Sequence, residues 1–405
     1  MNQLPKINII SPAFKANPYP FYAQLRAEAP VYRTILPDKQ SAWLITRYAD
    51  VMLVLKDEQR FVKNPANAKS KAQLAKMPWI PPMFKPFMHN LLDSDWADHT
   101  RLRGLVHKAF TPQLIEQMRD RVQTLADELL DAAQRKGQMD VIRDYALPIP
   151  LTIISEILGI APADQARFHK WSKALITLGS TGNVLWVIPH IMAVSRFLRR
   201  LFKERRAHPQ ADLITALVQA EEAGQKLNED ELLAMVFVLL IAGHETTVNL
   251  IGSGTLALLE NLDQMALLRR QPELSKNAVE ELLRYVAPVE QATERYAREA
   301  VTLHGVTIPK GEMVLAVLAS ANRDEQQFEN PDKLDITRTN LKHVAFGHGV
   351  HYCVGAPLAR LEGQIAIQRL VQRLPNLRLN AAPETLRWRP TLTVRGLEAL
   401  PVAIA

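Results

Sequence analysis

The stretch FGHGVHYCVG at residues 346–355 holds the only cysteine of the chain and decides its fold. Two glycines precede Cys353 and Gly355 follows it, so a flat molecule can approach this backbone without meeting a Cβ atom. Residues 356–362 read APLARLE, which is typical of the first turns of a helix with proline near its start. A cysteine just before a helix N-terminus lies where the helix dipole and the free N–H groups favour the thiolate.

A thiolate held in this way is a suitable axial ligand for a haem iron. A lone cysteine is by itself more often a small buried apolar side chain, so the spacing around it has to decide between the two interpretations. The stretch resembles the haem-binding loop of the cytochrome P-450 family, F-x-x-G-x-H-x-C-x-G, and fills every fixed position. The resemblance implies that Cys353 binds the iron of haem b and that Phe346, Gly347 and Gly355 shape the loop around the cofactor.

The length permits one large globular domain or two ordinary ones. The 405 residues show no linker, internal repeat or low-complexity segment, so we expect a single domain over residues 1–405. A hydrophobic share of 47% and a charged share of 22% are typical of a soluble protein. One cysteine excludes an internal disulfide framework and fits a reducing compartment.

The charge and the apolar runs predict a cytoplasmic protein without a membrane anchor. Residues 1–8 contain no signal-peptide core, and the apolar run at residues 232–241 is far shorter than the ~20 residues of a membrane-spanning helix. The formal net charge of +7 comes from scattered cations without a basic tail. This distribution argues against nucleic acid as a partner and is compatible with an acidic protein partner.

Helical periodicity dominates the chain from residue 98 onward and predicts a mainly α fold with a minor β portion. The predicted helices cover residues 98–110, 112–136, 143–158, 162–178, 184–208, 211–223, 229–259, 272–285 and 355–373. Strand-like segments lie at residues 42–46, 301–308, 313–317 and 392–394. Between residues 76 and 88, large apolar side chains alternate with four prolines, which forbid a long regular element. We interpret this segment as a lid over an apolar pocket rather than as core packing under a long loop.

The middle of the longest predicted helix reads AGHETT at residues 242–247. Glycine inside a helix costs about 1 kcal/mol relative to alanine, and small residues let a planar cofactor pack against the helix. An acid next to an alcohol can relay protons, although a kink with a back-bonding threonine is the structural alternative. The segment resembles the oxygen-activation signature of the family, A-G-x-[DE]-T. The resemblance implies catalytic roles for Ala242, Gly243, Glu245 and Thr246.

Two other motif matches are rejected. The pair His244-Glu245 begins the zinc motif H-E-x-x-H, but Val248 occupies the second histidine position. Residues 252–257 match G-x-G-x-x-[GA], yet they lie inside a predicted helix and follow no strand. Because no other nicotinamide or flavin site remains, electrons must come from a partner. We expect a ferredoxin or flavodoxin with its reductase, supplied ultimately by NAD(P)H.

Two further sets of residues follow from the resemblance. Glu281 and Arg284 match the E-x-x-R motif of the family and lie on one helix face; they are expected to form a structural triad with Arg338, in a segment where Leu334 replaces the usual aromatic residue. The expected cationic partners of the two haem propionates are His99, Arg103, Arg295 and His351.

A basic rim that could dock an acidic iron–sulfur or flavin protein is formed by Arg101, Lys108, Lys342 and Arg360.

The resemblance implies the triangular-prism fold of the family, with haem between the long central helix predicted over residues 229–259 and the loop that carries Cys353, which we call the cysteine loop. The expected function is hydroxylation or epoxidation of a lipophilic small molecule with O2 by a monomeric monooxygenase. The expected substrate pocket comprises Trp79, Ile80, Met83, Phe84, Ala287, Val289 and Leu392. The alternatives are a haem-binding sensor, a peroxide-driven peroxygenase, against which the Glu245–Thr246 pair argues, and a cysteine hydrolase with His351 as base. Oxygen-dependent product formation distinguishes a monooxygenase from a sensor, and a cysteine hydrolase would show no Soret band.

Overall fold

The computed structural model describes residues 7–77, 84, 87, 89–168, 170–171, 184–222 and 224–404, with the backbone alone at 184–187 and 221–222. The α-helices among these residues are Pro12–Ala16, Tyr19–Glu28, Tyr48–Lys56, Lys71–Leu74, Trp96–Ala109, Pro112–Glu116, Arg119–Lys136, Pro148–Ile157, Val184–Ala207, Leu213–Gln219, Glu229–Glu260, Leu262–Arg270, Ser275–Val286, Leu318–Ala321 and Ala356–Arg373. Residues 162–168 are also helical. The prediction of a mainly α fold with a minor β portion is confirmed.

The largest sheet has five strands and lies beside the helical core. In spatial order its strands are Val31–Ile35, Ser41–Ile45, Met313–Ala316, Arg295–Ala297 and Phe61–Val62. The second and third strands are parallel, and the other neighbours are antiparallel. A three-stranded sheet joins Arg378–Leu379, Pro401–Ala403 and Gln138–Asp140. Among the described residues, Glu221–Glu222 pairs with Gln225–Lys226 and Val301–Leu303 pairs with Val306–Ile308 as separate two-stranded sheets.

The helix Glu229–Glu260, which we call the central helix, forms the axis of the main hydrophobic core. A capping box begins it: the Asn228 side chain accepts from the Glu231 N–H at 2.9 Å, and the Glu231 carboxylate accepts from the Asn228 N–H at 2.9 Å. The central helix is also long and apolar enough to span a membrane by length and composition, but 56% of its apolar window is buried inside the fold. It is therefore a helix of the protein core.

The helix Ala356–Arg373, which we call the cysteine helix because it follows Cys353, packs directly on the central helix. A Cβ atom at Gly363 would lie 2.8 Å from the Leu250 side chain, so only glycine permits this close approach. The same face of the cysteine helix carries the buried Glu362, whose carboxyl contacts the Thr247 side chain. The loop that carries Cys353 is thereby anchored to the middle of the central helix.

Several predicted elements differ from the structure. The helix predicted over residues 112–136 is two helices, Pro112–Glu116 and Arg119–Lys136, and the strand predicted over 301–308 is the hairpin of Val301–Leu303 with Val306–Ile308. The helix predicted over residues 143–158 is a π-helix, Ile142–Ala146, followed by Pro148–Ile157, because Pro148 has no N–H for the α ladder and Leu147 donates to Ile142 five residues back. The helix predicted over 211–223 is Leu213–Gln219 followed by a hairpin. Residues 392–394 form no strand; Val394 makes an isolated bridge with Val289.

Candidate active site

The cysteine loop holds the thiol of Cys353 at the N-terminus of the cysteine helix. The Cys353 N–H donates to the Phe346 carbonyl at 3.0 Å, and the N–H groups of Gly355 and Ala356 donate to the sulfur. The residue is exposed, yet enough protein surrounds the sulfur that burial raises the pKa of the thiol, and the two N–H donors and Arg103 oppose this shift. An accessible sulfur that receives two amide hydrogen bonds is suited to act as a thiolate ligand.

Backbone conformation explains two glycines of this loop. Gly347 and Gly349 have φ values of +71° and +74°, in the left-handed region that glycine adopts at little cost. A Cβ atom at Gly349 would also lie 2.7 Å from the Leu55 carbonyl oxygen. Phe346 packs beneath the guanidinium of Arg360, whose carbon lies 4.5 Å from the ring centre. The loop is thus a tight turn over the helix Tyr48–Lys56.

The cationic residues predicted around the cofactor lie close to one another. The rings of His99 and His351 are 4.1 Å apart between centroids, and the buried His99 Nε2 has no hydrogen-bond partner among the described residues. Burial and Arg103 lower the pKa of His99 to about 4, while burial, His99 and Arg295 lower the pKa of His351 to about 2. Both imidazoles are therefore neutral near pH 7, and Arg103 and Arg295 supply the positive charge of this cluster.

Arg295 is 4% exposed, and its guanidinium donates only to the Thr293 carbonyl, at 3.4 Å, among the described residues. Burial lowers its pKa to about 10 and also lowers the pKa of Arg103. No ion pair joins either arginine to a carboxylate within the described part of the chain. Burying a guanidinium without a carboxylate is costly, so the buried Arg295, with the half-buried Arg103 in the same cluster, is suited to an anionic partner.

Lys63 belongs to the same cluster and was not predicted from the sequence. It is 4% exposed, and its ammonium donates to the Thr293 hydroxyl at 2.8 Å and to the Glu294 carbonyl at 2.5 Å. Burial, followed by the charge of Arg295, lowers its pKa to about 8. Pairing of Phe61–Val62 with Tyr296–Ala297 brings this lysine to Arg295, and no local sequence signal reveals that long-range pairing.

In the middle of the central helix, the two small residues Ala242 and Gly243 leave an opening on the helix surface, which we call the small-residue gap; the helix backbone is continuous here. Ala242 and Gly243 are exposed, although residues 232–236 and 247–258 of the same helix are buried, and a Cβ atom at Gly243 would meet no atom within 4 Å. The Thr246 hydroxyl donates to the Ala242 carbonyl at 2.8 Å. The gap therefore faces open space beside the helix, and the threonine bonds back to the helix as in the structural alternative.

Glu245 lies beside this gap and pairs with Arg389, with 3.5 Å between Oε1 and Nη1. Its side chain is 16% exposed. Burial raises the pKa of the carboxyl, and Arg389 partly offsets that rise. Arg389 lies 144 residues later, in the hairpin at residues 387–398, so the sequence alone gave no reason to pair it with Glu245.

Glu281, Arg284 and Arg338 form one buried ionic network. Arg284 donates to both Glu281 oxygens at 2.7 and 2.8 Å, with both side chains 0% exposed, and Arg338 Nε lies 3.2 Å from each oxygen. Arg284 also donates to the carbonyls of Asn322, at 2.9 Å, and Pro331, at 2.7 Å. Bidentate geometry and additional acceptors offset the cost of burying these charges.

This network reaches the cysteine loop through one residue. The Asn322 carbonyl accepts from Arg284, and the Asn322 side-chain oxygen accepts from the Val344 N–H at 2.8 Å. The Val344 carbonyl in turn accepts from the Gly347 N–H at 2.8 Å. The buried network therefore fixes the first residues of the loop that presents Cys353.

Comparison with known proteins identifies the family. The model of the Cytochrome P-450 family matches residues 6–380. The chain is a cytochrome P-450. It is 45% identical to cytochrome P-450 107B1 of Saccharopolyspora erythraea over 405 residues, which covers 99% of this chain and 98% of that protein. It is also 42% identical to the polyketide biosynthesis cytochrome P-450 PksS of Bacillus subtilis, with 97% of each chain covered.

Solved structures of other cytochromes P-450 have the same fold. The bacillaene polyketide synthase cytochrome P-450 PksS of Bacillus subtilis 168 superposes with a TM-score of 0.92 at 41% identity, covering 98% of this chain and 100% of that one. P-450BioI in complex with an acyl carrier protein ligated to hexadec-9Z-enoic acid gives a TM-score of 0.86 at 37% identity, covering 97% and 99%. This chain is therefore a haem-dependent monooxygenase, as its family implies.

The residues present fit the haem that the family implies. The group needs a thiolate ligand, a flat apolar surface on each side and cations for its two carboxylates. Cys353 offers an accessible sulfur, and Ala242 and Gly243 leave space at the central helix. The cations around Arg295 lack carboxylate partners among the described residues, as a site for propionates requires.

The predicted substrate residues have different surroundings. Trp79, Ile80 and Met83 lie outside the described residues. Phe84 is partly buried against the main core, and next to it the Phe87 ring lies 4.5 Å from that of Phe237 on the central helix. Val289 and Leu392 are partly buried. Ala287 is 0% exposed with φ of +44°, so in this structure it belongs to the core rather than to an accessible pocket wall.

The predicted basic rim of this cytochrome P-450 is partly neutralised. Arg101 pairs with Glu231 at 2.5 Å and is 18% exposed, and Arg360 pairs with Glu280 at 2.6 Å. Lys108 and Lys342 are exposed. Arg101 therefore holds the helix Trp96–Ala109 against the N-terminus of the central helix, and it is less available to a partner than the sequence suggested.

Proposed function

We propose that this cytochrome P-450 hydroxylates or epoxidises a lipophilic small molecule with O2 and two electrons that reach it from NAD(P)H through a ferredoxin or flavodoxin and its reductase. One observation carries the proposal: the exposed Cys353, a small-residue gap in the central helix and a cluster of cations without an ion-paired carboxylate among the described residues occur together around the cysteine loop. A cysteine hydrolase would require neither the gap nor the cations.

Haem, when bound, supplies the oxygen-activating chemistry, and the chain's residues hold and orient it. Cys353 would ligate the iron, and the amide hydrogen bonds from Gly355 and Ala356 would moderate the electron density on the sulfur. The residues that would hold the propionates are His99, Arg103, Arg295 and His351, together with Lys63. Phe346 and Gly347 keep the loop turned so that the sulfur stays accessible.

Glu245 and Thr246 would transfer protons at the small-residue gap. Burial moves the pKa of Glu245 upward from its ordinary value, which favours transfer near the working pH. Arg389 holds the carboxyl at 3.5 Å. The Thr246 hydroxyl now donates to the Ala242 carbonyl at 2.8 Å, so it can accept a hydrogen bond at the gap while it donates along the helix.

A polyketide or fatty acyl substrate is favoured over a polar one. The described part of the predicted lid contributes aromatic side chains, Phe84 and Phe87, which pack against the central helix or the core. The relatives described above include PksS of polyketide biosynthesis and P-450BioI, which was solved with an acyl carrier protein. The net charge of +7 is compatible with an acidic carrier or an acidic electron donor.

We also propose that the chain acts as one domain and as a cytoplasmic monomer. The apolar window of its longest helix is mostly buried inside the fold, and the lysines at 108 and 342 are exposed for docking of the electron donor. These exposed charges would steer an acidic partner, so docking should weaken as salt concentration rises.

The test is turnover of the reconstituted holoenzyme. Wild type should show the thiolate-type spectrum of the reduced carbon monoxide complex, and Cys353→Ala should lose it while keeping its helical circular dichroism. A panel of fatty acids, polyketides, terpenoids and steroids screened by the Soret shift then selects substrates for turnover under 18O2. Product that carries one 18O atom supports a monooxygenase; product formed only with peroxide, or no product from any compound that shifts the spectrum, would overturn the proposal.

A further inference from the structure

A carboxylate of the helix Ser275–Val286 is held in place beside the cysteine helix. The two Glu280 oxygens accept from Nε and Nη2 of Arg360 at 2.6 and 2.8 Å, and Oε2 also accepts from Nε2 of His343 at 3.1 Å. The Glu280 side chain is 22% exposed. A bidentate arginine with a third donor fixes a carboxylate, which a loose surface pair does not. Glu280 is therefore a negative charge with a fixed position.

The third donor, His343, is itself fixed in one orientation. Its Nδ1 accepts from the Ala345 N–H at 3.2 Å, so Nε2 carries the proton that it donates to Glu280. The His343 side chain is 3% exposed, and its ring centre lies 6.2 Å from that of Phe346. The carboxylate is thus tied to the chain just before the cysteine loop.

The guanidinium of Arg360 lies against the cysteine loop. Its carbon is 4.5 Å from the ring centre of Phe346, and Nη1 donates to the Tyr352 hydroxyl at 3.1 Å. The Phe346 carbonyl accepts from the Cys353 N–H at 3.0 Å, and Tyr352 precedes Cys353 in the sequence. The Glu280–Arg360 pair therefore contacts two residues that are each bonded to Cys353.

The charge of Arg360 acts on the sulfur. Arg360 follows Ala356 by four residues, so its Cα lies about 6 Å further along the cysteine helix, and helical side chains lean back toward the N-terminus. The sulfur accepts from the Ala356 N–H at that N-terminus, and the charges of Arg103 and Arg360 both lower the pKa of Cys353. Because Arg360 is paired with Glu280, this carboxylate offsets one of the two charges.

We propose that the Glu280–Arg360 pair sets the reduction potential of the bound haem, with Glu280 as a positioning residue that holds Arg360 on the cysteine loop and offsets its charge. This inference rests on the proposed function, in which a ferredoxin or flavodoxin loses one electron and the haem iron gains it. The iron site becomes more negative by one charge in that step, so a nearby carboxylate opposes reduction and a nearby cation favours it. Glu280 keeps the potential lower than Arg360 alone would.

The size of the effect follows from Coulomb's law. For a charge on the order of 10 Å from the sulfur, at an effective dielectric constant of about 20, its removal changes the equilibrium constant for reduction on the order of tenfold. Tenfold corresponds to about 59 mV for a one-electron couple. The potential of Glu280→Gln should therefore shift by about this amount in the positive direction, and that of Arg360→Gln in the negative direction.

Two further variants separate charge from structure. The double variant with Glu280→Gln and Arg360→Gln loses one charge of each sign, so its equilibrium constant for reduction should return to within about threefold of wild type. Glu280→Asp keeps the charge and should also stay within about threefold of wild type. Damage to the haem site from a lost contact between the two helices would instead persist in the double variant.

The matched control is Glu273→Gln, which makes the same chemical change at an exposed position of the same chain segment. Gln368 of the cysteine helix donates to the Pro272 carbonyl at 3.4 Å, whereas Arg360 meets Glu280, so the two segments run antiparallel. Glu273 therefore lies about two helical turns further from the sulfur than Glu280 does. Solvent and salt screen a charge at that place, so the control should stay within about twofold of wild type.

The measurement is a redox titration of the haem-loaded protein without substrate, electron donor protein or O2, in which the Soret band reports the reduced fraction. Every variant should keep the thiolate-type spectrum of the reduced carbon monoxide complex. Three results would each overturn the proposal: equal shifts in Glu280→Gln and Glu273→Gln, a double variant displaced as far as either single variant, or a shift in Glu280→Asp as large as in Glu280→Gln.

Failure of the proposed function would look different. In that case the haem-loaded wild type would incorporate no oxygen from O2 into any compound. The redox titration requires no turnover, so it still decides whether the Glu280–Arg360 pair sets the potential.

Discussion

Replacing Glu362 with glutamine should remove a pH-dependent loss of stability. Glu362 is 1% exposed on the cysteine helix; its carboxyl contacts Thr247, and Oε1 has no partner among the described residues. Burial raises the pKa of this carboxyl to about 8 from an ordinary 4.5, and the contact with Thr247 opposes the rise. The folded protein therefore keeps Glu362 protonated at a pH where the unfolded chain ionises it.

The sign and size follow from proton linkage. Below the unfolded pKa both states are protonated and Glu362 costs nothing; as pH rises toward the folded pKa, ionisation favours the unfolded chain by about 1.4 kcal/mol per pH unit. Glutamine has the shape of the protonated acid and does not titrate. The Glu362→Gln variant should therefore gain about 3 kcal/mol on wild type between pH 5 and pH 7.5.

The assay is urea unfolding of the haem-loaded protein at several pH values, followed by circular dichroism and by the Soret band. Glu280→Gln is the control. Burial alone would raise the pKa of Glu280, but hydrogen bonds from Arg360 and His343 lower it to about 2, so its stabilising effect is complete throughout this pH window. That variant should be less stable by a constant amount. A stability difference between Glu362→Gln and wild type that does not change with pH would refute the assignment of a protonated Glu362.

Four further predictions concern residues of the site. Arg284→Ala should cost about 3–5 kcal/mol of unfolding free energy, because it leaves the Glu281 carboxylate buried with one partner fewer; a loss below 1 kcal/mol in chemical denaturation would contradict the buried network. Lys63→Met should speed haem transfer to apomyoglobin by about 10- to 100-fold, as expected for losing a charged hydrogen bond, and an unchanged rate would exclude Lys63 from the propionate site. Thr246→Ala should divert oxygen to peroxide and lower coupling on the order of tenfold, whereas unaltered coupling would move the proton role elsewhere. Lys342→Glu should slow reduction by a ferredoxin several-fold at low salt but spare peroxide-driven turnover, and an equal effect of the exposed Lys203→Glu would remove the specificity of docking.

Local pattern predicted the mainly helical character of the chain, and the resemblance to a family motif predicted the cysteine loop. The 3.6-residue periodicity predicted residues 229–259 as one helix, which the structure extends by one residue. Periodicity could not predict the π-helix before Pro148, because a π-helix depends on which carbonyl accepts the hydrogen bond of each N–H group. Periodicity also predicted one helix over residues 112–136, where the structure has two. The two residues between them, Gln117 and Met118, keep helical φ and ψ angles.

The site shows where sequence reasoning stops. The charged residues near motifs were identified, but Lys63 and Arg389 reach the site only through strand and hairpin contacts with distant segments. Arg101 was interpreted as a surface charge because its partner, Glu231, lies 130 residues away on the central helix. Long-range pairing of this kind is decided by tertiary packing, which neither propensity nor spacing encodes.

The connection from Arg284 through Asn322 to Val344 has a consequence for assembly. Each of its hydrogen bonds joins one part of the polypeptide to another, and none requires an atom of the prosthetic group. The turn that displays the sulfur can accordingly take its final shape in the apoprotein. Haem would then bind to a loop that is already formed, and we expect cofactor capture to follow folding rather than to initiate it.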